Sequence, residues 1–354
     1  SYISNQNADG HVSMTQSIDT HIGETYNFSL DLASNPDVEA LGGTVEVLWN
    51  GALINSMNTN TEIFSTHDVT LLGTGELGEL MLRSTGGSDP ITSENVTTVS
   101  NGIDAVSGGL GIDRLVVDYS AGIGTTIGTS TTSFTGAGVG TVTIMGNEFE
   151  HFTILAGSGV NTLTTADGDD IIIASGLGAN TIVAGNGNNE IVTGSSIDTI
   201  NVGLGNDTIL AGDGASTIVA TGGDNYIVTG SGIDTILVGS GSDTILGGGG
   251  ANTITGLAGN KTIATGAGVD TITVTSGNNT IMTGEGASTI IATFGNNTIC
   301  TGGGIDTITV TSGNNLINVG NGANTITASF GQNTIFAGKD VDTITVTDGG
   351  NYVD

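Results

Sequence analysis

The chain has 354 residues, 61 of them Gly and only 2 Pro, and its 36% hydrophobic residues are Ile, Val and Leu rather than aromatics. That glycine content lacks the every-third-residue period of collagen, and a disordered chain would lack the aliphatics, so an ordered fold poor in ordinary core packing is expected. Thirty-five acidic residues against four basic ones give a net charge of −31, which excludes the basic stripe of a nucleic-acid binder, disfavours anionic membrane surfaces and favours cation partners, calcium above all.

The bland reading of the charge is that it only keeps an extracellular chain soluble. A single cysteine, Cys300, forms no internal disulfide, and metal is the usual substitute staple in a secreted chain. No apolar run reaches the ~18 residues of a membrane span, so no membrane insertion is expected. The start, SYISNQNADG, reads as an excised or processed piece, with any export signal outside it.

Residues 1–92 carry the texture of antiparallel strands joined by Gly/Asn turns. GETYNFSLDLASNP (23–36), GGTVEVLWNGALINSM (42–57), HDVTLLGTG (67–75) and GELMLRSTGG (78–87) alternate in that way. The segment resembles a β-sandwich of the carbohydrate-binding-module type, truncated or completed by another chain. Trp49 and Tyr26 could stack on a sugar ring, although a lone strand Trp is more often core. Residues 93–150 read as a Gly/Thr-rich β connector.

From Ile182 to Val353 an Ile or Val recurs every nine residues, preceded by less regular rows centred on Ile154, Leu163 and Ile172. Each row reads roughly G-x-G-x-[N/D]-T-I-x-[V/A/T]. The glycines mark a turn with positive φ, and T-I-x-V alternates in and out like a short strand. Nine residues cannot close a coil and bury their own Ile. Two rows can, giving 18 residues per coil, two parallel sheets and an Ile/Val core over 151–354. A coil rises ~4.8 Å, so the regular rows make about ten coils and a rod of roughly 48 Å. A 36-residue period lies above the nine-residue one: GSSIDTI (194–200), GSGIDTI (230–236), GAGVDTI (266–272), GGGIDTI (302–308) and GKDVDTI (338–344) alternate with GLGANTI, GDGASTI, GGGANTI, GEGASTI and GNGANTI on the same side.

These rows resemble the nonapeptide G-G-x-G-x-D-x-U-x of RTX (hemolysin-type) proteins, a calcium-binding parallel β-roll. GLGNDTI (203–209), GSGSDTI (239–245) and GSGIDTI (230–236) come closest. The resemblance implies an all-β fold, a parallel β-roll or β-solenoid preceded by the antiparallel sandwich. It also implies that the row Asp and turn carbonyls hold Ca²⁺ between coils, which carries over to Asp198, Asp207, Asp234, Asp243, Asp270, Asp306 and Asp342. Departures are written into the same column. On one side Asp alternates with Asn180, Ser216, Asn252, Ser288 and Asn324. On the other, Asp207 and Asp243 give way to Asn279, Asn315 and Asn351, beside Asn189, Asn225, Asn297 and Asn333, and the first turn Gly becomes Thr at 275, 293, 311 and 347. Calcium is therefore expected in the first half and along the Asp side, and stacked Asn ladders elsewhere.

Thr precedes the Ile in nearly every regular row and should point outward, where β-branched Thr stabilises a strand ladder. Thr253, Thr255, Thr271, Thr273, Thr307, Thr309, Thr325, Thr327, Thr343 and Thr345 would form a flat grid, broken at Ile291. This is similar to the T-x-T faces of β-solenoid ice-binding proteins. The same face could dock another copy. No catalytic constellation is visible: His11, His21, His67 and His151 are scattered, no hydrolase or zincin motif occurs, and Asp167, Asp169 and Asp170 fit a row turn. The expected protein is a non-enzymatic, secreted, extracellular or cell-surface structural or adhesive protein, a surface-layer, fibre or adhesin component. Calcium orders it, and it contacts itself, a cell surface or polysaccharide. In the family it resembles, such chains leave by type I secretion. The alternatives are an ice binder and an accessory module of a secreted enzyme.

Overall fold

The computed structural model describes residues 149–354 throughout, 114–120, 124–129 and 133–136, and the backbone of the further strands named below. The chain divides into two compact units, Ser1–Gly157 and Ser158–Asp354.

In the first unit Asn5–Gln6, Val12–Asp19, Leu77–Thr85, Thr44–Trp49 and Ala52–Asn58 form a five-stranded antiparallel sheet. Thr25–Leu32 pairs antiparallel with Ser65–Leu72. Five of these strands overlap the four alternating segments, whereas Asn5–Gln6 and Val12–Asp19 lie outside them. The packing of these sheets into the sandwich expected over 1–92, and the side chains of Tyr26 and Trp49, lie outside the described residues. The stretch read as a connector contains a packed aromatic cluster. Arg114–Asp118 lies parallel to Val96–Thr98 and His151–Leu155. Thr126–Thr129, Ser133–Gly136 and Gly140–Ile144 form an antiparallel meander. Leu115, Val117, Phe134, Phe149, Phe152 and Ile154 are buried, with Phe134 and Phe152 ring centroids 6.0 Å apart. The Tyr119 hydroxyl donates to the Phe134 carbonyl at 3.0 Å.

The second unit is an all-β solenoid, with no helix among the described residues. Odd rows form one parallel sheet from Thr162–Thr164 to Thr343–Val346, and even rows the other, from Ile171–Ala174 to Tyr352–Val353. Eleven strands stand in each, so the rows of Leu163 and Ile172 already belong to the roll. The first coil is one residue longer than the rest: Leu163 pairs with Ile182 and Ile172 with Ile191. From there every step is 18 residues, as in Ile182↔Ile200 and Ile191↔Ile209.

The core is the Ile column. Each Ile from Ile172 to Ile335 is essentially inaccessible, a burial worth roughly 1.5–3 kcal/mol per side chain. In the last coil Ile344 is half-buried and Val353 exposed. The turns need glycine for space as well as for backbone angle. Gly322 sits at φ +130°, and a Cβ there would stand 1.6 Å from the carbonyl oxygen of Gly304 one coil below, so any side chain would push adjacent coils apart.

Burial predicts a sharp asymmetry between neighbours in one strand. Ile308→Ala should cost about 2–5 kcal/mol in urea unfolding of the calcium-equilibrated protein. Thr307→Ala, on the exposed face, should change stability by under about 0.5 kcal/mol. Equal costs would contradict the inward assignment of the Ile column.

Candidate functional site

Each turn ends on an inward polar residue just before the Thr-Ile pair. Asn180, Asp198, Ser216, Asp234, Asn252, Asp270, Ser288, Asp306 and Asn324 occupy this place on one side, and Asp170, Asn189, Asp207, Asn225, Asp243, Lys261, Asn279, Asn297, Asn315 and Asn333 on the other. All are buried to within 2%. Buried polar groups need partners, and the stacked coils provide them. The backbone N–H of one rung donates to the Oδ1 of the next rung: Ser216 to Asp234 at 2.8 Å, Asp234 to Asn252 at 2.9 Å, Asn252 to Asp270 at 2.9 Å.

Asparagine completes the rung with its own amide. Asn279, Asn297, Asn315 and Asn333 each donate Nδ2–H to the Oδ1 of the next Asn at 2.8–2.9 Å. The first three also reach the glycine carbonyl two residues back, at 3.0 Å. The residue before the rung forms a second ladder of opposite sense on this side. The Oδ1 of Asn278 accepts from the N–H of Asn296, that of Asn296 from Asn314, and that of Asn314 from Gln332. Two antiparallel ladders explain why the dipeptide Asn-Asn recurs. On the other side the preceding residue is apolar, and its larger members Ile197, Ile233, Val269, Ile305 and Val341 are 60–86% exposed.

Aspartate leaves the rung incomplete. Its Oδ1 is used like that of Asn: Asp198 accepts from Asn180 N–H and Nδ2 at 2.8 Å each, and Asp207 from Asn189 at 2.9 Å each. Its Oδ2 stands where Asn would carry a donor. The Oδ2 atoms of Asp198, Asp207, Asp234, Asp270 and Asp306 are buried and receive no hydrogen bond. Burial raises the pKa of Asp198, Asp207 and Asp234 above the ordinary carboxylate value, against the opposing effect of the rung hydrogen bonds. The hydroxyls of Thr193 and Thr229 lie beside Asp198 and Asp234 and favour their ionised forms, although Thr193 donates to the Ala211 carbonyl at 3.2 Å and neither Asp Oδ2 is met in full hydrogen-bonding geometry. Thr265 and Thr301 hold the same place five residues before Asp270 and Asp306, again with buried hydroxyls lacking a bond.

This donor set fits a hard cation: an anionic oxygen without a proton donor, a neighbouring hydroxyl in four turns, and turn carbonyls. Among the described residues no three acidic, His or Cys groups converge on one point, so a calcium ion would be held by at most two carboxylates, with neutral oxygens completing the shell. The residues that would hold it are Asp198, Asp207, Asp234, Asp270 and Asp306. The other two expected ligands differ. Asp342, in the last coil, is only half-buried, and accepts from Asn324 N–H at 2.8 Å. Asp243 keeps the usual rung, accepting from Asn225 Nδ2 at 2.7 Å, but its Oδ2 is 2.9 Å from the Lys261 ammonium, an ion pair that supersedes its otherwise unbonded appearance. Lys261 was legible as the one break in an Asx column. Thr193, Thr229, Thr265 and Thr301 were legible only as an incomplete 36-residue period, blurred by Thr283 before Ser288 and by Ala337 before Asp342.

The threonine grid is in register. Thr253, Thr271, Thr289, Thr307, Thr325 and Thr343 pair in one line, and Thr255 with Thr273 and Thr309 with Thr327 and Thr345 in the second. The first line is exposed except for half-exposed Thr289, and of the second Thr345 is exposed and the others half-exposed. Ile291 interrupts the second line, 39% exposed.

The raised carboxylates set a pH dependence. A carboxylate that binds its proton more tightly when folded adds stability below its unfolded value near 3.8, and that stability is lost as pH rises through the folded value. In EGTA the roll should therefore lose stability as pH rises from about 4 toward neutrality. Asp198→Asn/Asp234→Asn should flatten the dependence and raise the neutral-pH midpoint, because Asn supplies the missing donor. Thermal unfolding followed by circular dichroism reads both, and a steeper slope in the variant would overturn the assignment.

The comparison with protein families agrees with this geometry. The RTX calcium-binding nonapeptide repeat (4 copies) model matches residues 153–176, 174–209, 201–236, 237–272, 273–308 and 309–344. No curated protein matches the chain. With matches running across 153–344, more than half of the chain, and the coil built from those same rows, the chain belongs to the RTX calcium-binding nonapeptide repeat family.

Proposed function

We propose that this is a secreted, non-enzymatic structural or adhesive protein whose roll is ordered by calcium outside the cell and presents flat faces for self-assembly or attachment. The observation that carries the reading is the row of buried carboxylate oxygens without donors. When bound, calcium supplies the positive charge that a buried carboxylate otherwise lacks. The chain's residues do the rest. The rungs orient each Oδ1, the glycine turns bring carbonyls close, and the Ile column holds the coils in register. The Asn ladder from Asn279 to Asn351 keeps its side of the last coils closed without metal. Export by type I secretion in the unfolded, calcium-free state suits such a chain, since low calcium leaves the first half weak.

The charge of −31 supports the same reading. Mutual repulsion of so many carboxylates opposes compaction in the absence of cations. The in-register threonine grid favours a second reading, an ice-binding face. Placement beside a catalytic domain, as an accessory module, is a third.

Circular dichroism in EGTA followed by calcium, with particle sizing, tests the main reading. The strand signal should rise and the melting temperature increase on adding calcium, and particles should then grow. A chain fully folded in EGTA and indifferent to calcium would contradict the calcium claim; calcium-induced folding without growth would remove the assembly claim. For the second reading, Thr309→Tyr should abolish thermal hysteresis, and absence of hysteresis in the unmodified protein would dismiss it.

A further inference from the structure

Lys261 stands at a rung position, in the row GNKTI, where every other row from 170 to 351 on that side has Asp or Asn. It is only 1% exposed, and among the largest buried side chains of the roll. Lysine is almost never buried without a specific environment, and here one has been built. The ammonium donates to the carbonyls of Gly239 at 3.2 Å and Gly241 at 2.7 Å, and to that of Ala258. It also lies 2.9 Å from Asp243 Oδ2, with both side chains fully buried. Four oxygens from two successive turns thus converge on one positive charge.

The stem of the lysine has its own space. Gly256 occupies an inward strand position whose neighbours in register are Val238 and Val274. A Cβ on Gly256 would stand 2.9 Å from Lys261 Cγ and 3.2 Å from its Cε. Deletion of the core side chain at 256 and insertion of a lysine at 261 are complementary in volume, so the aliphatic stem takes a place in the core. One half of the rung is kept, since Lys261 N–H donates to Asn279 Oδ1 at 2.8 Å like any Asn of the column, while the lysine side chain offers no Oδ1 to the N–H of Asp243.

The charge that Lys261 supplies lands on the atom that remains open elsewhere. At Asp198, Asp207, Asp234, Asp270 and Asp306 the same Oδ2 is buried without a donor, and at Asn rungs of the Asp243 side the equivalent Nδ2 donates to a turn carbonyl, Asn189 to Gly187 and Asn225 to Gly223 at 3.1 Å each. We propose that Lys261 is a tethered cation. Its ammonium fills, from within the chain, the position that the Asp243 turn would otherwise offer to a calcium ion, and so pins the middle of the roll without metal. The inference rests on the calcium reading above for the neighbouring Asp turns.

The test counts bound calcium and measures unfolding in calcium and in EGTA for the full chain and two variants. Lys261→Met keeps the stem and removes the charge. Lys261→Asn places an amide that can join the Asn279 rung, and keeps the test open should the Met variant not fold. Either variant should bind one more calcium ion than the parent by equilibrium dialysis, and should lose more stability in EGTA than in calcium. Asp243→Asn combined with Lys261→Asn should bind no extra ion, because the carboxylate is gone. A variant that folds but binds the parent's number of ions, with equal losses in both conditions, would reduce Lys261 to a packing residue and overturn the proposal. Failure of both variants to fold even in calcium would do the same, since the ion would then be no substitute for the ammonium. If the parent binds no calcium yet Lys261→Asn binds one ion, the tether stands and the reading of the other Asp turns falls; the reverse pattern separates the two in the opposite sense.

Discussion

The roll depends on one interaction, the hydrogen bond from a backbone N–H in one coil to a side-chain Oδ1 in the next. A nine-residue row turns so tightly that its last turn residue must point inward. A buried polar side chain there costs on the order of 1–3 kcal/mol for each group left unpaired. Stacking at 18-residue intervals solves this, because each rung becomes the partner of its neighbour, as in Asn297 to Asn315 at 2.9 Å for both amide hydrogens. The Ile column then packs without strain, and the glycine turns close on each other's carbonyls. Four residue types stand at the rung. Asparagine finishes it with an amide, lysine with an ammonium at Asp243, serine at 216 and 288 passes on its own N–H bond but offers no Oδ1, and aspartate leaves an oxygen for an external cation or a proton.

Much of this was visible in the sequence because the constraint is local and repeated. The nine-residue spacing of Ile required two rows per coil, and the 36-residue overlay placed Asp on alternate coils of one side; the strand register agrees, pair by pair. The replacement of Asp by Asn along the other side also announced the ladder. Other features were hidden because they occur once or act across coils. The extra residue before Ile182 shifts the register without breaking the pattern. Gly256 and Lys261 lie five residues apart, and only the stacking shows that one makes room for the other. The burial of Phe134 against Phe152 could not be read, because Phe134 lies in the Gly/Thr-rich connector and Phe152 in the stretch taken as the start of the roll.

The distribution of rung types has a thermodynamic consequence. In a solenoid each coil answers mainly to its neighbours, so stability is close to a sum of coil and interface contributions. On the Asn side, coils from Asn279 onward are closed by neutral ladders, whereas the first coils carry unmatched carboxylates on both sides, at Asp198, Asp207 and Asp234. Burial holds these three above the ordinary carboxylate pKa. The proposed reading therefore makes the first half the more dependent on cations, with the Lys261–Asp243 pair at its border. On the proposed reading, metal dependence would be graded along the rod by residue choice at a single position in the row.

The most direct measurement is diffraction from crystals grown in calcium, with an anomalous difference map over the turns. The account predicts peaks beside the Oδ2 of Asp198, Asp207, Asp234, Asp270 and Asp306. It predicts none along the ladder from Asn279 to Asn351 and none between Asp243 and Lys261. Peaks spread equally over Asn and Asp turns, or a calcium-loaded chain with no peak at any Asp rung, would contradict it.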